Sequence, residues 1–338
     1  MIQAARRSNT TLSQHRGEWK EQSSDDRFES RTITVKEDEQ GLRLDQFLCK
    51  RFSDISRNEW QTRIDQGYVK INELQARPSR RLNVHDCVRY AYYMRAEPET
   101  PLEIPVIYED ENLIAVDKPA GLPVHPSGIY RTKTVTTLLD AQNNFGTTYL
   151  LHRLDRETSG VLLLARNKKS AALYHKALRS DSTKKEYVVL CEGKFPKEFQ
   201  AHGYLFSLPS SRLKRKRFFS IEPPAEAIDI QTAQTNFTRL YTRKHISALR
   251  AVLLTGRMHQ IRATLLSLGF PVVGDKLYGV DEDYYFKFAD DTLTEADWVK
   301  LRLRRSALHC TRLTVINPFT EEPLTIESKV PADMELSE

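Results

Sequence analysis

The segment Leu151-His152-Arg153-Leu154-Asp155-Arg156-Glu157-Thr158-Ser159-Gly160 sets four charged side chains and a histidine between Tyr149-Leu150 and the apolar run VLLLA, residues 161–165. That run is entered from a glycine and closed by Arg166-Asn167, which predicts a buried β-strand. Thr158, Ser159 and Gly160 are turn residues that close the preceding loop with local hydrogen bonds. Asp155 therefore lies on a loop feeding a core strand, where a carboxylate is costly unless paired. A solvated surface turn has the same residue types. An aspartate flanked by arginines at the mouth of a core strand is, however, a candidate active-site arrangement.

Upstream, Leu113-Ile114-Ala115-Val116 reads as a strand running into DKPAGLPVHP (117–126), whose three prolines and glycine predict a rigid loop near the surface. Helices are expected over 135–142 and 168–179, and a strand over 185–190. A strand over 246–254 enters TGRMHQIR (255–262), which opens a helix ending near Gly269. GDKLYG (274–279) is a turn bounded by glycines. Residues 281–303 are charged and aromatic without a clear period and read as an insertion, followed by a last strand over 306–315. Strands and helices intermingle without regular βαβ alternation. The expected fold class is α+β, with a mixed, largely antiparallel sheet.

At the other end, residues 1–30 are polar with isolated apolar side chains and read as a disordered tail. Residues 32–35 alternate like a short strand, and Leu42, Leu44, Phe47, Leu48 and Phe52 follow helical spacing. Ser56 with Glu59 three residues on matches a capping box, and Gly67 supplies a left-handed stop. Short strands are expected over 68–72 and 86–90. Residues 31–95 thus make a small α/β module of two short helices on a hairpin. The proline-rich EPETPLEIP marks a linker over 96–105, ahead of a larger domain over 106–330.

The net charge of +6 is unevenly spread. Five basic and five acidic residues cancel in 1–30, whereas 31–95 holds thirteen basic against nine acidic. A basic module ahead of a nearly balanced domain suits a polyanionic partner such as RNA or DNA. SSRLKRKR (210–217) is the densest basic run, either a phosphate-contacting loop or a solvated turn. No apolar run approaches the ~20 residues of a membrane span and no signal-peptide core is present, so a cytoplasmic protein without a membrane partner is expected. Cys49, Cys87, Cys191 and Cys310 are far apart with no CxxC pair, which disfavours disulfides and zinc.

RLDQFLCKRFSDISRNEWQTRIDQGYVKIN resembles the S4 RNA-binding domain, which implies Arg43, Arg57 and Arg63 as phosphate contacts. Taken together and in order, DKPAGLPVHP, HRLDRETSG, KEYVVLCEG, TGRMHQIR and GDKLYG resemble the RluA-type pseudouridine synthases, from about residue 104 to 330. An S4-like module ahead of such a domain is the arrangement of many ribosomal-RNA members. The resemblance implies site-specific isomerisation of uridine to pseudouridine by a monomer that needs no metal or other cofactor, with large-subunit (23S) ribosomal RNA as the expected target. It implies Asp155 as the catalytic aspartate, either a nucleophile toward sugar or base or the group that removes a sugar proton on the way to a glycal.

By the same resemblance Arg153 holds the flipped base or fills its place. Tyr187 stacks on the uracil and accepts the C5 proton, and Arg262 pairs with Asp155 and keeps it ionised. His152 and His259 are expected to orient the substrate through hydrogen bonds rather than bind metal. Met258 stands where the family usually has threonine, which removes a hydroxyl that caps the helix or fixes the loop. The rival readings are a transfer-RNA pseudouridine synthase, a non-catalytic RNA-binding or ribosome-assembly protein of the same fold, and a hydrolytic N-glycosidase.

Overall fold

The computed structural model describes residues 27–52, 55–94, 97–142, 145–213 and 216–335, and the chain divides between Glu97 and Pro98 into two compact units. The first unit contains β1 (Arg27–Thr34), α1 (Leu44–Arg51), α2 (Arg57–Asp65), β2 (Val69–Ile71), β3 (Leu74–Gln75) and β4 (Cys87–Met94). Its strands pair antiparallel in the order β1-β4-β2-β3. The helical spacing in GLRLDQFLCKRF buries Leu44, Phe47 and Leu48, and α2 adds Trp60 and Ile64 to the same core.

Ser56 accepts the Glu59 amide at 3.2 Å, but the Glu59 carboxylate takes Arg63 at 2.5 Å, so only half of the expected capping box forms. Gly67 adopts φ +84°, the left-handed stop its position called for. Two expectations change. The module is a four-stranded sheet rather than a hairpin, because β1 lies along the whole of β4. Residues 27–30 belong to that strand and not to a tail; the rest of the tail, residues 1–26, lies outside the described residues.

The second unit runs β5 (Val106–Glu109), β6 (Leu113–Lys118), α3 (Val135–Ala141), β7 (Tyr149–Leu150), β8 (Ser159–Ala165), α4 (Lys168–Ala177), β9 (Lys184–Glu192) and β10 (Glu198–Ser207). It continues with β11 (Phe218–Ser220), β12 (Ile228–Arg243), β13 (Ile246–Leu253), α5 (Gln260–Ser267), α6 (Asp283–Ala289), α7 (Glu295–Leu301), β14 (Leu308–Ile316) and β15 (Pro323–Glu327). Among the described residues eleven strands form one sheet along the path β11-β10-β12-β13-β9-β14-β8-β6-β5, with β15 on β14 and β7 on β8. The β8–β14 pair is parallel and the other pairs are antiparallel, so the class is α+β with a mixed, largely antiparallel sheet.

Every residue of β8 is buried, as the uninterrupted VLLLA required. At its entrance Gly160 adopts φ +106°, and a Cβ there would collide with the Cys310 carbonyl of β14. Only glycine lets these two strands meet immediately after the Asp155 loop.

Several elements depart from the sequence reading. β5, β10 to β12 and β15 arise where no strand was expected. Residues 281–303 fold as α6 and α7 rather than an irregular insertion, and Asp117 and Lys118 extend β6 into the proline-rich segment. The proposed linker already joins the sheet through Asp117 N on Pro105 O at 2.8 Å, and the core extends past residue 330 to Met334. The basic run turns inward at its end: the Arg217 guanidinium donates to Ser207 Oγ at 2.9 Å and to the Asp229 carbonyl at 2.5 Å. Lys214 and Arg215 lie outside the described residues. Among the described residues no helix is long and apolar enough to cross a membrane.

Candidate active site

The loop before β8 is fixed by groups from three distant segments. Fully buried Lys118 donates from Nζ to the carbonyls of Pro119 (2.8 Å), Leu122 (2.8 Å) and Arg156 (3.0 Å). Gly121 N also reaches Arg156 O at 2.8 Å. Burial pulls the Lys118 ammonium down to about 7. Glu157 accepts Lys276 Nζ at 3.0 and 2.9 Å and the Ser306 amide at 2.9 Å, tying the loop to GDKLYG and to the approach of β14. Within the loop, Thr158 N bonds Asp155 O at 3.1 Å. Asp155 thus projects from a backbone with little freedom left.

Its partners come from α5 and the turn after it. Arg262 Nη1 donates to Asp155 Oδ2 at 2.7 Å, while Nε and Nη2 grip Asp275 at 2.5 and 2.9 Å. Asp275, fully buried, also accepts the Leu277 and Tyr278 amides at 2.9 and 2.8 Å. Arg262 lies with its guanidinium 4.9 Å from the centre of the Tyr278 ring. One guanidinium is therefore shared between a carboxylate that is saturated and one that is not. Asp155 Oδ1 receives no hydrogen bond among the described residues; His259 Nε2 lies 3.7 Å from it.

The electrostatics follow from that geometry. Burial would raise the Asp155 carboxyl, but Arg262 and then His259 outweigh it and hold it below its ordinary value. Asp275 is lowered in the same way, burial being outweighed chiefly by Arg262. Burial depresses His259 despite the nearby carboxylates, so its imidazole is neutral at pH 7. The Tyr278 hydroxyl accepts the Arg217 amide at 2.9 Å and lies 2.9 Å from His259 Nδ1. A donation from that hydroxyl to Nδ1 leaves the imidazole proton on Nε2, facing the open oxygen of Asp155. Tyr187 on β9 is buried, and burial together with Cys310 and Asp155 pushes its phenol well above the usual value.

Of the residues singled out in the sequence, Asp155, Arg262 and His259 come together directly, and Tyr187 is close enough to feel the Asp155 charge. Arg153 is exposed, its guanidinium unpaired among the described residues. His152 faces elsewhere: Nε2 accepts the Leu163 amide of β8 at 3.1 Å, and burial lowers it to about 3. Met258 is 48% exposed. The loop around it is fixed instead by Gln260, whose Oε1 accepts Thr255 Oγ1 (2.9 Å) and Arg257 N (3.0 Å) and whose Nε2 bonds β12 at Gln234 O and Thr235 Oγ1. The missing threonine hydroxyl therefore does not loosen this loop. Lys118, Asp275 and Tyr278 were not singled out for a role, although the first lies in DKPAGLPVHP and the other two in GDKLYG.

In the first unit, Arg43 and Arg57 both bind Asp45, at 3.1 and 3.0 Å, and Arg63 binds Glu59. Gln61 Nε2 and the Gln46 amide complete the Asp45 shell at 2.7 and 2.9 Å. These arginines retain solvent access, with 34, 45 and 24% of their side chains exposed.

Known proteins resemble both units. The S4 domain profile matches residues 42–88, and the RNA pseudouridylate synthase profile matches residues 112–267. A ribosomal large subunit pseudouridine synthase D of Xanthomonas campestris is 31% identical over 313 residues, spanning 90% of each chain. A mitochondrial tRNA pseudouridine(32) synthase of Saccharomyces cerevisiae is 33% identical over 71% of this chain, which spans half the length of that protein. The structure of human RNA Pseudouridylate Synthase Domain Containing 1 superposes with TM-score 0.54 at 21% identity, covering 69% of this chain and 86% of that one.

Proposed function

The chain belongs to the RNA pseudouridylate synthase family, whose reaction isomerises uridine to pseudouridine, and from that premise we propose that Asp155 performs this reaction on large-subunit ribosomal RNA. The observation that carries the assignment is the state of Asp155. Its carboxyl is held below its ordinary value and so is ionised, one oxygen is bonded to Arg262, and the other is open.

The isomerisation breaks the N1–C1′ bond, turns the uracil and forms C5–C1′; the C5 proton leaves and N1 acquires one, so no atom is gained or lost overall. An open carboxylate oxygen suits attack on the sugar or base and suits removal of a sugar proton equally. Tyr187 keeps its proton at rest, so it acts as a flat face for the uracil and passes a proton only by receiving one as it gives one up. Arg153, exposed and unpaired, holds the extruded nucleotide or fills the gap left in its helix. His259 orients the substrate from beside Asp155, whereas His152, bonded to β8, acts on the substrate only by shaping the loop.

Arg43, Arg57 and Arg63 form the phosphate-facing side of the S4 unit. The protein works as a cytoplasmic monomer without a cofactor. Ribosomal RNA is favoured over transfer RNA by the Xanthomonas relative, which matches over 90% of each chain and carries a ribosomal name, whereas the yeast one matches over half of its length.

Purified protein incubated with unmodified large-subunit ribosomal RNA and, separately, transfer RNA transcripts tests this reading. Nucleoside analysis should show pseudouridine in the ribosomal transcript and no free uracil. Free uracil would identify a hydrolase, and modification confined to transfer RNA would overturn the substrate assignment.

A further inference from the structure

Buried cations of the catalytic unit are matched by acceptors. Lys118 has three carbonyls, Arg262 two carboxylates, Lys276 Glu157, and Arg217 a hydroxyl and two carbonyls. Lys185 on β9 breaks this rule. It is half-buried, yet its ammonium makes no hydrogen bond or ion pair among the described residues. Its Nζ stands 3.8 Å from where a Cβ on Gly256 would lie, against the loop that leads to His259 and Arg262.

The strand register places Lys185 within the site. Lys185 and Tyr187 are two apart on β9 and so share a face of the sheet. Across the ladder Lys185 stands opposite Leu253 and Leu313, and Tyr187 opposite Ala251 and Cys310. Neither titratable group that acts on or is acted on by the Lys185 charge is a counter-ion. Burial holds the Cys310 thiol up at about 12, so it keeps its proton, and His152 is neutral. Burial lowers the Lys185 ammonium.

A partly desolvated ammonium with no partner costs free energy that the resting protein does not recover. A partner arriving with the substrate recovers it. The anionic group of an RNA strand is its phosphodiester, and an ammonium on a flexible stem is a good point-charge receptor for phosphate. We propose that Lys185 is a positioning residue that binds a backbone phosphate next to the extruded uridine, drawing the strand against the Gly256 loop while Tyr187 faces the base. The proposal rests on the reading of this site as an RNA uridine isomerase.

The test uses the full chain as wild type, Lys185→Met and Lys185→Arg, with an unmodified large-subunit ribosomal RNA transcript as the probe. Dissociation constants are measured across a series of potassium chloride concentrations, and KM, kcat and the pH profile of kcat by pseudouridine formation. Lys185→Met should weaken binding and raise KM by about tenfold, with a smaller change in kcat. The slope of log affinity against log salt should shrink by about 0.7–0.9, the weight of one phosphate contact. Lys185→Arg should recover the slope. Lys185→Gln repeats the charge removal should the methionine variant melt early.

An unchanged affinity and slope in both neutral variants overturns the proposal. So does a fall in kcat at unaltered affinity with a changed pH profile, which would make Lys185 a proton-transfer group. Wild-type protein that binds the transcript yet forms no pseudouridine in any RNA counts against the activity reading instead, and the salt slopes still decide the phosphate contact.

Discussion

Asp45 in the first unit and Asp155 in the second both have arginine company, and they do opposite things. Asp45 is fully buried and saturated, with Arg43, Arg57, Gln61 and the Gln46 amide on its two oxygens. Burial would raise its carboxyl, but those donors, Arg43 foremost, hold it far below the ordinary range. Asp155 has one guanidinium on one oxygen and leaves the other open. Arginine neighbours alone therefore do not mark a reactive carboxylate. The number of acceptor positions left unfilled does, because a filled carboxylate has nothing to offer a substrate.

That contrast breaks most visibly at Arg262, which serves a saturated and an open carboxylate together. Arg262→Gln leaves Asp275 without its main counter-charge in the core, and the expected loss is about 3–5 kcal/mol of stability. Calorimetry should show a much lower melting temperature, and any folded fraction should be inactive. A wild-type melting temperature would mean that the shared guanidinium does not organise the site.

Asp45→Asn is the matching change in the other unit. It removes a charge from a shell of charged donors, and the cost should be about 1–3 kcal/mol. RNA affinity should fall because Arg43 and Arg57 lose their anchor, while kcat at saturating RNA stays near wild type. A variant with unchanged affinity and unchanged melting would show that the Asp45 shell contributes neither order nor binding.

Titration sharpens the comparison. The folded Asp45 carboxyl lies below its unfolded value, which for aspartate is about 3.9. Its contribution is fully present above that pH and is lost as pH falls, because the unfolded chain then binds a proton that the folded one refuses. Melting followed from pH 6 to pH 3 should show a drop that Asp45→Asn lacks. For Asp155, also lowered, the acid limb of kcat/KM should lie below the ordinary aspartate range. The smallest effect belongs to Met258→Thr, exposed on a loop already fixed by Gln260; melting should move by no more than the roughly 0.5 kcal/mol typical of surface changes.

The parts of this molecule legible in its sequence are those where one rule dominated. VLLLA could only be a buried strand, and the apolar spacing of α1 and the stop at Gly67 were equally plain. The long strand β12 was not legible. Residues 228–232 are all exposed, Ile228 and Ile230 among them, and the polar Gln231, Thr232, Gln234, Thr235 and Asn236 that follow gave no apolar alternation to read. Helices α6 and α7 were missed for a different reason. Their aromatics pack on cations rather than on an apolar core: Phe288 on Arg156 and Lys276, Phe286 on Arg212, Trp298 on Lys276 and Arg304.

At the site, the pairing of Asp155 with Arg262 came from a family resemblance, since no local pattern joins residues 107 apart. The resemblance said nothing of Asp275, the saturated carboxylate that holds Arg262 in place. Its sequence signal, an acidic residue one position after Gly274 and followed by two free backbone amides, is common to many turns.

The central claim is that the open oxygen of Asp155 does the chemistry, and one substitution isolates it. Asp155→Asn keeps the size and removes the charge, and Arg262 remains held by Asp275. Pseudouridine should be mapped across all RNA from cells lacking the protein, complemented with wild type or with Asp155→Asn. The account predicts that wild type restores specific pseudouridines in large-subunit ribosomal RNA, while the folded asparagine variant restores none. Identical modification profiles with the two proteins would contradict it.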